Sequence, residues 1–254
     1  MRLSGAVALI TGASRGIGSA VAQGFASEGA SVFLVGHSDQ EALEQAIQET
    51  RKTSRPVGSA EVGGGLFDVG RHEEVRRLAD AIEHRFGRLN IVVNNAGVIR
   101  PTPLLEIEPE QWEETIRTHL YGTFYCTVEM VNRFMKQRRS GKIVNVAAAS
   151  ALRAYVGVAD YASAKGGIVA FTRNAARELQ PLNIQVNAII PVARTRMIDA
   201  LGAYYEKSLG VRAASRITEV APPQALVPSF LFFASSDSDY VTGQILSADG
   251  SSTL

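Results

Sequence analysis

Short apolar runs alternate with longer amphipathic stretches along the whole of this 254-residue chain. The apolar runs, at residues 6–11, 31–35, 65–67, 89–93, 142–147, 184–189 and 244–247, mostly have the composition of strands buried on both faces. Helical patterns fall between them at residues 17–28, 40–52, 72–86, 110–136, 161–179 and 222–234, with Asp39 and Asp160 as candidate N-caps. This order predicts a single α/β domain: a doubly wound, mostly parallel, seven-stranded sheet with helices on both faces and a ligand crevice at the carboxyl ends of the strands.

Composition narrows the kinds of partner that the chain can have. Lys and Arg total 26 against 25 for Asp and Glu, so a formal net charge of +1 offers no argument for nucleic acid or an anionic membrane. Cys126 is the only cysteine, so no internal disulfide can form, and no Cys/His cluster has metal-ligand spacing. No apolar stretch approaches the length that spans a bilayer. We therefore expect a cytoplasmic protein that binds a small molecule and holds no metal.

Two segments depart from the alternation. Residues 53–64 are rich in Ser, Gly and Pro and predict a surface turn. Residues 194–218 have weak periodicity, and a segment of this length between a strand and a helix predicts either a substrate lid, taken as residues 194–220, or a disordered excursion. Within it, Met197, Leu201, Tyr204 and Tyr205 form an apolar surface for a substrate or simply pack the lid.

A glycine-rich segment, Thr11-Gly12-Ala13-Ser14-Arg15-Gly16-Ile17-Gly18, follows the first predicted strand. Small residues there let the backbone approach a pyrophosphate, and the N-terminus of the next helix supplies free N–H groups. A glycine turn without any ligand is the alternative. Two more motifs follow in order: Asn94-Asn95-Ala96-Gly97 after the fourth strand, and Tyr161-Ala162-Ser163-Ala164-Lys165 at the start of a helix.

Together these three motifs resemble the short-chain dehydrogenase/reductase family, which has a Rossmann fold. The resemblance extends to Val241-Thr242-Gly243-Gln244 and Asp249-Gly250, covers the whole chain, and is greatest to the 3-oxoacyl-thioester (acyl-carrier-protein) reductases and related hydroxyacyl dehydrogenases. It implies a nicotinamide cofactor. The cofactor-binding residues that it implies are Gly12, Ser14, Arg15, Gly16, Ile17, Gly18, His37, Asp68, Val69, Asn95, Ala96, Gly97, Tyr161, Lys165, Pro191, Val192 and Thr195.

Charge at the end of the second strand bears on which nicotinamide cofactor is bound. A free ribose diol is usually held by a carboxylate there, whereas a 2′-phosphate needs cations. In this chain Gly36-His37-Ser38 follows the strand, and both His37 and Arg15 could face a phosphate, which favours NADP(H) over NAD(H). Two alternatives stay open: Arg15 is a solvated loop cation, and His37 is a neutral hydrogen-bonding residue. Asp68 is either an adenine contact or the N-cap of the next helix.

Tyr161 and Lys165 lie four residues apart, so both side chains rise from one face of a helix. An ammonium beside a phenol favours the phenolate and so lowers the pKa of the phenol, which predicts Tyr161 as an acid/base. The resemblance implies that Tyr161 exchanges a proton with the substrate oxygen while hydride passes to or from nicotinamide. It also implies that Lys165 holds the nicotinamide ribose.

The chain departs from the family pattern at three places. The family has a serine thirteen residues before this tyrosine, where this chain has Ala148; Ser150 is the nearest hydroxyl, with Arg153 and Tyr155 as other candidates to orient a substrate. His119 replaces an asparagine that many relatives use in a proton relay, and it is either a proton shuttle or a hydrogen-bonded helix histidine. The third departure combines Val192, where the family usually has glycine, with Thr195, which comes one residue early.

The leading hypothesis is an NADP(H)-dependent oxidoreductase that interconverts a ketone and a secondary alcohol. The missing serine leaves two alternatives: a cofactor-binding protein with little or no reductase activity, serving as a structural or regulatory subunit, and a lyase or isomerase on the same fold. By resemblance, the helices predicted at 110–136 and 161–179 pack across a two-fold axis, so a homo-oligomer, either a dimer or a tetramer, is expected.

Overall fold

A computed structural model describes residues 1–54, 60–209 and 220–250 of the chain. Its strands are β1 Val7–Thr11, β2 Ser31–Gly36, β3 Val62–Leu66, β4 Ile91–Asn94, β5 Gly141–Val146, β6 Ile184–Pro191 and β7 Ile245–Ala248. They form one seven-stranded sheet in the order β3-β2-β1-β4-β5-β6-β7, and every neighbouring pair is parallel. The predicted α/β fold with a parallel sheet is therefore confirmed.

Helices cover both faces of this sheet. They are α1 Gly16–Ser27, α2 Gln40–Thr53, α3 His72–Phe86, α4 Pro109–Ile116, α5 Gly122–Met130, α6 Ala159–Leu179, α7 Arg196–Leu209 and α8 Val227–Ala234. One apolar layer contains Phe25 and Phe230, and the layer on the opposite face contains Ile82 and Met130. All five residues of β1 are buried between these layers. Each large aliphatic side chain buried in this way contributes roughly 1.5–3 kcal/mol, which explains the continuous apolar runs of the strands.

The strand order reverses between β1 and β4, so the loops that follow these two strands diverge and leave a crevice. The loop after β1 is the glycine-rich segment, and the loop after β4 begins at Asn95. Thr11 and Asn95, which are 84 residues apart in sequence, are thus brought to one edge of the sheet.

The helix predicted at residues 110–136 is wrong as one continuous α-helix. Two π-helical turns, Arg117–Tyr121 and Val131–Met135, interrupt it, and each widens the helix locally. The strand predicted at 65–67 begins earlier, at Val62. The sequence did not indicate this start, because three successive glycines carry no apolar pattern. At the end of the chain, residues 223–226 form a 3₁₀ turn, and α8 begins only at Val227.

Of the two predicted N-caps, Asp39 is confirmed and Asp160 is not. The Asp39 carboxylate accepts a hydrogen bond of 3.0 Å from the Ala42 N–H at the start of α2. Helix α6 begins at Ala159, which places Asp160 inside its first turn.

Parts of both irregular segments lie outside the described residues. The predicted turn at 53–64 includes residues 55–59, and the predicted lid at 194–220 includes residues 210–219, and none of these is described. The first half of the lid segment is helix α7, which its weak periodicity did not indicate. None of the described helices is both long and apolar enough to cross a lipid bilayer.

Candidate active site

The glycine loop is tied to the loop after β4 by two polar side chains. The Thr11 Oγ1 atom accepts hydrogen bonds of 3.0 Å from the N–H groups of Asn95 and Ala96. In return, the Asn95 Nδ2 atom donates to the carbonyl oxygens of Thr11 at 2.9 Å and Gly12 at 3.0 Å. These bonds hold the two loops at a defined separation on the crevice floor. Asn95 therefore acts as a structural clamp, and Thr11 is a residue that the sequence motifs alone did not single out.

Close packing explains the glycines of this loop. Gly12 and Gly16 have φ angles of +64° and +60°, in the left-handed region that glycine adopts without strain. A Cβ atom on Gly12 would lie 2.8 Å from the Ala96 Cα atom, and one on Gly18 would lie 2.4 Å from the Gly12 carbonyl oxygen. Helix α1 begins at Gly16 without a side-chain cap, so its first N–H groups stay free for an anion.

A cleft of about 750 Å³ lies along this loop. Of the predicted cofactor-binding residues, the cleft is lined by Gly12, Ser14, Arg15, Gly16, Ile17, Asn95, Gly97, Tyr161, Lys165, Pro191 and Thr195. Its volume is within the range of about 300–1,000 Å³ found for small-molecule sites. The backbone cradle, the uncapped helix start and the volume of the cleft together fit a dinucleotide.

Six predicted cofactor-binding residues are not part of this lining: Gly18, His37, Asp68, Val69, Ala96 and Val192. Gly18 is packed beneath the loop, and His37 is exposed at the end of β2. The Asp68 Oδ1 atom accepts a hydrogen bond of 2.9 Å from the Gly70 N–H, and helix α3 begins only at His72, so Asp68 is not its N-cap. Val192 lines the neighbouring pocket described below.

Arg15 forms an ion pair with Asp39. The hydrogen bond from the Ala42 N–H, followed by the Arg15 guanidinium, lowers the pKa of the Asp39 carboxyl below its ordinary value. Both side chains are largely exposed, so the pair is accessible to an incoming anion. Arg15 is therefore partnered rather than a free loop cation, a contact that the sequence did not predict because it crosses from the glycine loop to the start of α2.

Lys165 is buried below Tyr161. Its side chain is 2% exposed, and its Nζ atom donates a hydrogen bond of 2.5 Å to the Val146 carbonyl oxygen at the end of β5. The Nζ atom lies 5.6 Å from the centroid of the Tyr161 ring. Burial disfavours the charged amine and lowers the pKa of Lys165 to about 7.

Burial also raises the pKa of the Tyr161 phenol above its ordinary value. This direction is opposite to the one predicted from the spacing of Tyr161 and Lys165. The reason is that burial deprives the phenolate of its hydration, a cost that the spacing of the two residues does not reveal. The two side chains nevertheless lie on one face of α6, as the spacing of four residues predicts.

His119 lies inside the first π-helical turn and faces the same site. It is 1% exposed, and its ring is 5.1 Å from that of Tyr161 at 88°. Its Nε2 atom contacts the backbone of Val98, 3.0 Å from the nitrogen and 2.7 Å from the oxygen, while Nδ1 has no partner among the described residues. The ring fills the space beside Gly97, where an added Cβ atom would lie 2.2 Å from His119 Cε1.

The electrostatics of His119 correct one prediction. Burial, assisted by the charge of Lys165, lowers the pKa of His119 to about 3, so the imidazole is neutral at physiological pH. A shuttle that relies on an ordinary histidine pKa near 6.5 does not hold at this site. The alternative of a hydrogen-bonded helix histidine describes Nε2 but not the unpartnered Nδ1 atom.

A buried carboxylate fixes the start of α6. Asp160 is 2% exposed, and its Oδ2 atom accepts hydrogen bonds from Gln111 Nε2 at 3.1 Å and Thr115 Oγ1 at 2.9 Å, both on α4. Its Oδ1 atom accepts from the Tyr161 N–H at 2.7 Å. Asp160 therefore connects α4 to the turn of α6 that carries Tyr161. Sequence reasoning gave this aspartate only a capping role, although an acidic residue beside a candidate acid/base could have indicated more.

A second, apolar pocket of about 190 Å³ adjoins the cleft. Tyr161 lines both the cleft and the pocket, so its side chain lies at their junction. Ala148 and Ser150 also line the pocket, and the Ser150 Oγ atom is buried without a hydrogen-bond partner among the described residues. Tyr155 lines it as well, whereas Arg153 is not among its described lining residues.

Comparisons with known proteins match almost the whole chain. A family model described as Enoyl-(Acyl carrier protein) reductase matches residues 12–253. The 3-oxoacyl-[acyl-carrier-protein] reductase of Thermotoga maritima is 34% identical over 253 residues, which is 98% of each chain. Crystal structures of levodione reductase and of NAD⁺-bound xylitol dehydrogenase superpose with TM-scores of 0.91 and 0.89 at 28% and 27% identity. They cover 99% and 98% of this chain, and 99% and 100% of their own chains are matched.

Proposed function

Since this chain belongs to the short-chain dehydrogenase/reductase family, whose members are NAD(P)-dependent enzymes, we propose that it interconverts a ketone and a secondary alcohol with NADP(H). The observation that carries the proposal is the position of Tyr161 at the junction of the dinucleotide-sized cleft and the apolar pocket. The nicotinamide, when bound, donates a hydride to the substrate carbon or accepts one from it. The phenol at the junction is within reach of an oxygen on that carbon.

In this proposal, Tyr161 donates a proton to the carbonyl oxygen during reduction and removes one from the alcohol during oxidation. Lys165 restores the proton, because a pKa of about 7 leaves both its protonated and its neutral form populated near neutral pH. The bond from Nζ to the Val146 carbonyl oxygen holds the amine beside the phenol. We propose that Lys165 also contacts the nicotinamide ribose and that the neutral His119 ring keeps Tyr161 in place through their edge-to-face contact.

Ser150 is the candidate replacement for the serine that Ala148 lacks. Its buried, unpartnered hydroxyl in the same pocket as Tyr161 is a donor that a substrate oxygen would satisfy. We expect Ser150→Ala to lower kcat/KM for ketone reduction by about a hundredfold, the effect of losing one donor to a developing oxyanion.

The double variant Ser150→Ala/Ala148→Ser is the matched test of this role. If the pocket needs one hydroxyl near the phenol, the second substitution recovers part of the lost rate. An unchanged kcat/KM in Ser150→Ala, measured by nucleotide oxidation, would remove Ser150 from the site.

The preference for NADP(H) is proposed from Arg15 and His37. The exposed Arg15 guanidinium lines the cleft and can exchange its bond with Asp39 for one with a 2′-phosphate. We expect Arg15→Ala to raise the Kd for NADPH by about tenfold or more, the value of one charge-assisted hydrogen bond, and to change the Kd for NADH little.

Asp39→Asn is the complementary variant, because it removes the carboxylate that competes for Arg15. It is expected to tighten NADPH binding. If Arg15→Ala weakens NADPH and NADH equally, in equilibrium titrations followed by nucleotide fluorescence, the preference for NADP(H) is wrong and Arg15 contacts only what the two nucleotides share.

We also propose that the described part of the predicted lid segment, residues 194–209, covers the pocket. Helix α7 carries Met197 and Leu201, which line the pocket, whereas Tyr204 and Tyr205 are not among its described lining residues. The ring of Tyr204 packs against Gly157, where an added Cβ atom would lie 2.4 Å from Tyr204 Cε1. This contact holds α7 against the loop that precedes α6.

A homo-oligomer is proposed from an exposed apolar face on α4, the first π-helical turn and α5. Trp112, Tyr121, Phe124 and Val128 are each 37–47% exposed on this face, and Phe124 contacts Phe171 of α6 edge to face. We expect Phe124→Glu to shift sedimentation from a dimer or tetramer to a monomer, because a charge buried in an apolar interface is costly.

Leu152→Glu, on an exposed leucine outside this face, is the control for the added charge. A wild-type protein that sediments as a monomer would contradict the assembly.

The cytoplasmic location stays a prediction from the single cysteine.

A further inference from the structure

We infer that the substrate is an uncharged, carbon-rich ketone about the size of one ring with a short side chain, bound in the apolar pocket beside Tyr161. The inference rests on the proposed oxidoreductase function and adds the chemical class of the substrate. Three observations support it: the apolar lining, the few polar groups and the volume of the pocket.

The apolar lining comes from four separate segments of the chain. Ile99 follows β4, Val158 precedes α6, Val192 follows β6, and Met197, Ile198 and Leu201 lie on α7. Residues 197, 198 and 201 share one face of a helix because of its 3.6-residue period. Since the segments converge from distant parts of the sequence, the apolar surface is a property of the folded site.

Polar groups in the pocket are few, and all of them are hydroxyls. Among the described lining residues, only Ser150, Tyr155 and Tyr161 carry a polar side chain, and none is charged. Each of these three side chains ends in a hydroxyl. A ketone oxygen can accept hydrogen bonds from them, whereas a carboxylate would lose its hydration without gaining a cation.

Cations near the site are directed to the cleft rather than to the pocket. Arg194 and Arg196 line the cleft with Arg15 but not the pocket, whereas Met197 and Ile198, the next residues, line both. The same helix thus provides charge for the proposed nucleotide and apolar surface for the substrate. A polyol, which needs several donors and acceptors, has too few partners among the described lining residues.

The volume sets the size of the ligand. An apolar cavity of about 150 Å³ engineered in another protein binds benzene. The pocket here has about 190 Å³, which leaves room for a ring and a few further carbon atoms. Acetophenone is a suitable probe, and 4-acetylbenzoate is its matched control because it adds one carboxylate to the same ketone.

The test compares these two ketones in two ways. We expect kcat/KM for acetophenone to exceed that for 4-acetylbenzoate by about tenfold or more, and 1-phenylethanol to be oxidised faster than xylitol. Equal or faster reaction of the carboxylate or the polyol would overturn the inference and leave the proposed function intact.

Binding is measured separately on Tyr161→Phe, by ligand-observed NMR, so that failure of the two proposals is distinguishable. Saturable binding of acetophenone but not of 4-acetylbenzoate, with neither reduced by the wild-type enzyme, would support the substrate class and contradict the oxidoreductase function. Absence of both binding and turnover of acetophenone would overturn the inference.

A charge introduced into the pocket gives a second check. Leu201→Arg should move the preference towards 4-acetylbenzoate by about tenfold, since a guanidinium pairs well with a carboxylate. Leu152→Arg places the same charge on an exposed leucine outside the pocket lining and should leave the ratio between the two ketones unchanged. An unchanged ratio in Leu201→Arg as well would show that the pocket does not bind the substrate.

Discussion

Tyr161→Phe will lower kcat for ketone reduction by about 10²- to 10⁴-fold, the contribution of a well-placed general acid. The substitution removes one oxygen and keeps the ring, so the edge-to-face contact with His119 and the shape of both cavities stay the same. Nucleotide binding should therefore be nearly unaffected. The measurement is oxidation of NADPH by the purified enzyme with a panel of ketones, including a 3-oxoacyl thioester and a quinone.

Tyr125→Phe is the matched control, because Tyr125 is half-buried but lines neither cavity. Its loss of rate should be much smaller. A Tyr161→Phe enzyme that keeps most of its activity would contradict the assignment of the acid. Product formation without any change in the redox state of the nucleotide would instead favour a lyase or isomerase.

Lys165→Met is expected to abolish most of the activity and at the same time to stabilise the fold at pH 7 by about 2 kcal/mol. Activity falls because the amine that restores the Tyr161 proton in the proposed mechanism is lost. Stability rises because methionine has a similar length and removes a buried amine whose pKa is lowered to about 7. The lost bond to the Val146 carbonyl oxygen offsets part of this gain.

Ionisation of Lys165 makes the free energy of unfolding depend on pH, with a defined sign. The unfolded chain keeps the Lys165 proton up to a pH of about 10.5, whereas the folded chain loses it near pH 7. Between these values the unfolded state binds more protons, so this residue makes the wild-type free energy of unfolding rise with pH, by at most about 1.4 kcal/mol per pH unit. The advantage of Lys165→Met is therefore largest near pH 7 and shrinks towards pH 10.

Urea unfolding at pH 7 and pH 9 measures the free energy of unfolding and its dependence on pH. Lys142→Met is the control, because Lys142 bonds Asp239 near the surface and lies outside both cavities. A Lys165→Met protein that is less stable than the wild type at pH 7 would show that the hydrogen bond outweighs the cost of burying the amine.

The fold could be predicted from the sequence because buried parallel strands and amphipathic helices leave different periodic patterns. The bounds of the helix His72–Phe86 were predicted without error, since its apolar residues recur at helical spacing. Strand β3 was harder, because Gly63, Gly64 and Gly65 contribute no side chains to such a pattern. The two π-helical turns were not predicted, because the apolar pattern of residues 110–136 does not mark them.

The candidate active site, like the fold, could be predicted only where a local sequence pattern determines the geometry. The spacing of Tyr161 and Lys165 was enough to predict that they share a helix face, because that follows from helix geometry alone. The pKa values were not predictable, because desolvation depends on the whole fold: it leaves His119 neutral and reverses the expected direction for Tyr161. The ion pair of Arg15 with Asp39 and the bonds of Asp160 to α4 likewise join segments that only the fold brings together.

The contact between Gly97 and His119 restricts the order in which this chain can have changed during evolution. Any side chain at position 97 would collide with the imidazole, 2.2 Å away at its closest atom. A lineage that holds histidine at position 119 therefore cannot leave glycine at position 97 until the ring has first become smaller or moved. A substitution at position 97 should therefore be tolerated more readily together with a smaller side chain at position 119 than alone.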